Sequence, residues 1–154
     1  MSQDDAGIEL ETSMGYLLKE ASSALRASME AVLRPLGMTV THYSCLELLA
    51  QRPGLSNSEL ARGAFVTRQS MNVLLQALER DGYVTRATEA PVGKALPTRL
   101  TARGRRSLET ASAAVRSVEI TMLSGMSEAE QAGALRALRS MVRALRADFE
   151  TRTP

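Results

Sequence analysis

The sequence predicts a mainly α fold that carries one small β-hairpin, built as a single domain. Three observations predict it. Apolar residues recur at steps of three and four along most of the chain, which is the spacing of one helical face. Two capping signatures, Ser56 with Glu59 and Ser127 with Glu130, mark helix starts. Strand-like alternation is confined to two short stretches, 83–86 and 97–100, separated by a loop that holds Pro91, Gly93 and Lys94. A length of 154 residues suits one domain with a modest core.

The elements follow in order. Leu10, Met14, Leu17, Ala21, Leu25, Met29 and Leu33 share one face of a helix over 8–34, which Pro35 and Gly37 end. Thr39 or Thr41 caps the next helix, which runs through HYSCLELLAQ and stops at Pro53-Gly54. Ser56 opens a short helix to about Arg62, and Gly63-Ala64 reads as a turn. Thr67 caps a further helix that ends at Gly82. Residues 83–86 form a short strand, and Pro97 to Leu100 form the returning one, where a leading proline suits an edge. Thr101 caps a helix to about Leu123, and Ser127 opens the last helix, to about Phe149.

Composition excludes several classes. No run of 18 apolar residues exists, so no membrane partner is expected. The acidic start MSQDDAGIELETS has no apolar signal core, and Cys45 is the only cysteine, which fits a cytoplasmic protein. One histidine, one cysteine and no Gly-rich phosphate loop argue against an enzyme, a metal site or a cofactor. The charge is uneven: residues 51–106 hold ten Lys/Arg against four Asp/Glu, while residues 1–50 hold three against seven. A concentrated positive charge of this kind attracts polyanions.

The order helix, helix, turn, helix, strand, loop, strand over residues 38–104 is that of a winged helix-turn-helix. Its third helix enters the major groove of DNA and its hairpin is the wing. At about 100° per residue, the helix from Thr67 to Arg80 divides cleanly into two faces. Met71, Leu74, Leu75 and Leu78 face the core. Gln69, Asn72, Val73, Gln76 and Arg80 face outward, with Arg68 at the border. Amides pair with adenine and arginine with guanine. Ser56, Thr67 and Ser70 sit at helix starts, where free amides meet phosphates. Arg86 and Arg99 at the base of the wing are further phosphate candidates, and Lys94 lies at its tip.

The segments GMTVTHYSCLELLAQRPGLSNSELA, VTRQSMNVLLQALERDGYVTR and ALPTRLTARGR resemble the MarR/SlyA family of bacterial transcription regulators. Leu78-Glu79-Arg80-Asp81-Gly82-Tyr83-Val84 and Leu100-Thr101-x-x-Gly104 are the more specific pieces, and the layout covers nearly the whole chain. The resemblance implies one MarR-type domain over 1–154. A DNA-binding lobe over 38–104 is flanked by dimerisation helices over 8–34 and 105–150. It also implies a homodimeric repressor of palindromic promoter DNA, released by a small aromatic or phenolic ligand. Wings of this family commonly carry Asp-x-Arg or Asp-Arg-Arg at the tip; here the corresponding positions are Val92, Gly93 and Lys94. Lysine lacks the guanidinium fork, so this tip is expected to grip DNA more than it reads it.

Leu135, Leu138, Val142, Leu145 and Phe149 form a heptad seam on the last helix, expected to meet a second copy together with Leu10 and Leu17 of the first. Tyr16, His42, Tyr43 and Cys45 are the candidate ligand-pocket residues. Two alternatives stay open: a winged-helix protein-interaction module without specific DNA binding, favoured by the missing wing Asp-Arg, and thiol-redox sensing through Cys45. Relatives that sense peroxides carry their cysteine near the start of the first helix, where this chain has none.

Overall fold

In a computed structural model of the chain, residues 7–86 and 97–154 are described. Six α-helices and one two-stranded sheet are seen among them: α1 Met14–Leu33, α2 Val40–Gln51, α3 Asn57–Gly63, α4 Arg68–Arg80, β1 Val84–Arg86, β2 Thr98–Leu100, α5 Ala102–Leu123 and α6 Glu128–Arg152. A single 3-10 turn, Arg34–Leu36, follows α1. The mainly α fold with a small hairpin is thus present. The chain divides into two compact units, Met1–Val118 and Glu119–Pro154.

Most helix starts are set by the expected side chains. Thr39, Ser56, Thr67 and Ser127 each accept a hydrogen bond from a first-turn amide, which settles the choice between Thr39 and Thr41. Both capping boxes are complete, with Glu59 and Glu130 accepting from the cap amides. Those reciprocal bonds hold both carboxyls below their ordinary pKa. The first helix differs from expectation. It begins at Met14, capped by Ser13, and not at residue 8, so Leu10 precedes the helix. Ser13 satisfies the amide of Tyr16, and a local cap overrides an apolar pattern that continues upstream.

The core of the first unit gathers Leu33, Met38, Cys45, Leu46, Leu49, Leu60, Ala61, Met71, Leu75, Leu78, Val84, Leu108 and Ala111. These come from α1 to α5 and β1, so α3 and α4 are clamped against α2 and the first half of α5. Each large side chain sealed here contributes roughly 1.5–3 kcal/mol relative to exposure. The strands pair antiparallel, with Val84 opposite Leu100, Thr85 opposite Arg99 and Arg86 opposite Thr98. Val84 and Thr98 are buried, while Thr85 and Arg99 face out, as alternation requires.

One side chain fastens the hairpin to α5. The Thr101 hydroxyl donates to the Gly82 carbonyl at 2.6 Å and accepts from the Gly104 amide at 3.0 Å. The Thr101 amide donates to the Tyr83 carbonyl at 3.1 Å. This close approach of α5 to the α4–β1 turn also fixes Gly104.

The turn between α3 and α4 differs from the expected Gly63-Ala64 turn. Gly63 is the last helical residue, and a Cβ there would stand 3.0 Å from Leu48 Cδ1. Glycine at 63 serves helix packing, and the left-handed position falls two residues later. The Val66 amide donates to the Ala61 carbonyl at 3.0 Å and the Phe65 amide to the Arg62 carbonyl at 3.3 Å. This is a Schellman ending, with Phe65 where glycine is favoured. Its φ is 59°, and it is the only described non-glycine residue with positive φ. That conformation costs an L-residue about 1–2 kcal/mol.

In the second unit, α6 has no buried residue. Leu135, Leu138, Val142, Leu145 and Phe149 are between 44% and 70% exposed. In the first unit Leu10, Met14, Leu17 and Leu18 are likewise exposed. No helix among the described residues is long and apolar enough to cross a membrane.

Candidate nucleic-acid interface

Helix α4 presents the two faces that its sequence implies. Met71, Leu75 and Leu78 are buried, and Leu74 is half-buried against the core. Thr67, Arg68, Gln69, Ser70, Asn72, Val73, Gln76 and Arg80 are exposed. No Asp or Glu occurs from Leu60 to Leu78, so the outward face is basic and amide-rich without an acid to repel a phosphate. Among the described residues, Arg68, Gln69 and Gln76 have no side-chain hydrogen bond or ion pair, so their donors and acceptors are open to a partner. The Thr67 hydroxyl caps α4 and donates to Ser70 Oγ at 2.9 Å.

A residue outside the expected set contributes here. Asn57, in the first turn of α3, donates from Nδ2 to Asn72 Oδ1 at 3.3 Å. Asn72 is thereby oriented, with its Oδ1 engaged and its Nδ2 left as the free end of the amide. The pair is fifteen residues apart, so no local pattern announces it. Ser56 is half-buried, and its oxygen is engaged by the Glu59 amide.

The wing-base arginines separate. Arg99 is exposed, as a phosphate contact needs. Arg86 is half-buried, and its Nε and Nη2 are sealed from solvent without a hydrogen-bond partner. Those two nitrogens therefore do not meet the expectation of a phosphate contact. Strand alternation is the reason: Val84 and Arg86 point to one side, toward α2, and Thr85 to the other. The opposite residue, Thr98, also has an unpartnered buried hydroxyl. Lys94, with Val92 and Gly93, lies outside the described residues.

The four ligand-pocket candidates have different surroundings. Tyr16 is exposed on α1. Tyr43 lines a cavity of about 210 Å³ with Glu47, Gln51, Arg52 and Gly63. His42 packs edge-on against Tyr83, with ring centroids 5.3 Å apart, and Arg103 lies 4.8 Å over the other partner of that pair, Tyr83. Burial lowers the His42 pKa, and the charge of Asp81 opposes that shift. The imidazole is therefore mainly neutral at pH 7.

Cys45 is fully buried in α2. Burial pushes its thiol up to about 12, with the Arg86 guanidinium pulling the other way. At neutral pH it is a thiol and not a nucleophilic thiolate, which disfavours redox sensing. Ellman's reagent is expected to leave it unmodified in the folded protein and to titrate one thiol per chain in denaturant. Rapid labelling of the native protein would contradict this.

A larger cavity, about 680 Å³, opens between the end of α2, β2 and the start of α5. Leu49, Leu100 and Leu108 give it apolar walls, and Arg99, Arg105 and Glu109 give it charged groups. Cavities of this size and mixed lining suit small organic molecules. The sequence reading did not single it out, since its residues come from three separated segments.

With this geometry in place, comparison with known proteins is informative. A MarR family profile matches residues 36–95. Over 125 residues the chain is 42% identical to the HTH-type transcriptional repressor Rv2887 of Mycobacterium tuberculosis, covering 81% of this chain and 90% of that protein. The crystal structure of the M. tuberculosis MarR family protein Rv2887 in complex with salicylic acid matches with a TM-score of 0.70 and 40% identity, over 90% of this chain and 98% of that one. The same protein in complex with DNA matches with a TM-score of 0.70 and 40% identity, over 84% and 98%. On its sequence, its helix-turn-helix lobe and this similarity, the chain belongs to the MarR family.

Proposed function

We propose that this protein is a transcriptional repressor that binds palindromic duplex DNA as a homodimer and releases it on binding a small aromatic acid or phenol. The observation that carries the DNA reading is the outward face of α4. Arg68, Gln69, Asn72, Val73 and Gln76 are exposed together on a helix that carries no acid before Glu79 and whose other face is locked into the core. In this reading α4 lies in the major groove, with Thr67 and Ser70 at phosphates near its start. Ser56 supports the site through the α3 cap. Arg99 and Lys94 add phosphate or minor-groove contacts from the wing. The crystal structure of Rv2887 with DNA supports the same use of the lobe.

The homodimer is assigned to the segments over 8–34 and 105–150, because each carries apolar residues that stay exposed in a single chain. Leu10, Leu17, Leu135, Leu138, Val142, Leu145 and Phe149 are the residues a second copy would bury. Two-fold symmetry then fits half-sites about one helical turn apart. The effector reading rests on the salicylic acid and p-aminosalicylic acid complexes of Rv2887. In this chain the cavity between α2, β2 and α5 has the apolar walls and guanidinium groups that an aromatic carboxylate needs.

The test is a gel shift on the DNA upstream of the protein's own coding sequence, at two salt concentrations. Arg68→Ala and Gln69→Ala are each expected to lose about 1–3 kcal/mol of specific binding. Lys94→Ala is expected to weaken all sequences alike and to reduce the salt slope by about 1. Binding that ignores both sequence and salt, or equal affinity in all three variants, would remove the assignment and favour the protein-interaction alternative.

A further inference from the structure

Phe65 stands out against the rest of the lobe. Its side chain is 89% exposed, more than any other large hydrophobic residue in the described chain. Its backbone is left-handed, at φ 59°, in the Schellman position that ends α3. Both features disfavour phenylalanine there. Glycine would relieve the backbone, and a polar residue would suit the solvent. Among the described residues nothing compensates, because the ring has no aromatic partner there and belongs to no core cluster. A residue disfavoured twice in the free protein points to a contact made in another state.

Its place says what that state is. Phe65 lies two residues before Thr67, the cap of α4, so it borders the start of the outward α4 face. Arg62 and Arg68 flank it, both exposed, and no acid intervenes. A docked protein surface at this point would have to be strongly acidic. A duplex satisfies the charges through its phosphates, and it offers apolar surface beside them, in the deoxyribose edges and the thymine 5-methyl groups. Val73, 61% exposed on the same helix, is a second apolar group set among these polar residues.

We propose that Phe65 is a DNA-contacting residue: an apolar anchor at the entrance to the recognition helix that seats on deoxyribose or thymine methyl surface when the lobe docks. This rests on the DNA-binding reading above. The left-handed backbone and the exposed ring occur at the same residue, outside the core that α3 and α4 share.

The experiment compares the parent with Phe65→Gly and Phe65→Leu, by thermal melting and by fluorescence anisotropy on the upstream DNA. Phe65→Gly is expected to melt at or above the parent temperature and to bind about tenfold more weakly, since an apolar contact of this size is lost. Phe65→Leu is expected to keep most of the affinity. Repeating the titration with thymine replaced by uracil separates the two sources. If the methyl groups supply the contact, parent and glycine variant converge; if the sugars do, the difference persists. Parental affinity in Phe65→Gly would overturn the proposal while leaving the DNA reading intact. So would a change of oligomeric state in that variant on sedimentation, which would place the ring on a surface between copies. Failure of the parent itself to bind would overturn both.

Discussion

Gly104→Ala is expected to lower the melting temperature of the lobe by about 6–20 °C, as read by circular dichroism. An added Cβ would stand 2.1 Å from the Tyr83 carbonyl oxygen and 3.1 Å from its carbon. The obstacle is backbone, so no rotamer change relieves it. The Tyr83 carbonyl is also held from the other side, as acceptor for the Thr101 amide. Relief requires α5 to move off the α4–β1 turn, which breaks the Thr101 bonds to Gly82 and uncovers Val84 and Leu108. Substitutions that displace packed elements in this way cost on the order of 3–5 kcal/mol. In a chain of this size that is a shift of roughly 2–4 °C per kcal/mol. A variant melting within 2 °C of the parent, by this same scale of about 2–4 °C per kcal/mol, would show that the approach of α5 to the turn is loose. Because Gly104 lies away from the α4 face, the surviving folded fraction at low temperature is expected to bind DNA with near-parental affinity.

On the homodimer reading, the paired substitution Leu138→Glu, Leu145→Glu is expected to convert the protein to a monomer on sedimentation and to lower its affinity for a two-half-site operator by about 10²-fold or more. These side chains are 44% and 68% exposed in a single chain, so their replacement removes nothing from the core of either unit. The loss arises because two lobes joined in one particle bind the second half-site as an intramolecular event, at a high effective concentration. Binding of the double variant to a single half-site is expected to be unchanged, which separates loss of dimerisation from damage to the lobe. A variant that remains dimeric would move the interface elsewhere.

Much of the lobe is legible in the sequence because its punctuation is local. Ser56 with Glu59, Thr67 and Ser127 with Glu130 set helix starts through bonds spanning three residues, and the α4 faces follow from its period. The departures share a cause: a choice made by distant packing. Gly63 looks like a turn residue, yet Leu48 on another helix claims it, and the left-handed turn passes to Phe65. Asn57 gains a role only because α3 lays it against Asn72. The burial of Arg86 Nε and Nη2 follows only when the strand alternation that buries Val84 is extended two residues. The cavity between α2, β2 and α5 draws on segments around residues 50, 99 and 108, which nothing in the linear order connects. The cap at Ser13 is the opposite case. That signal is local, but the apolar pattern on either side of it suggested an earlier start.

Thr101 carries a mechanical consequence. Its hydroxyl and amide tie the end of β2 both to the turn before β1 and to the first turn of α5. A hairpin fixed by one strand end would swing as a free flap. Fixed by three bonds converging on one residue, this hairpin moves only if the start of α5 turns with it. The wing is therefore geared to that helix. A rotation there of a few degrees is carried directly into the paired strands β1 and β2.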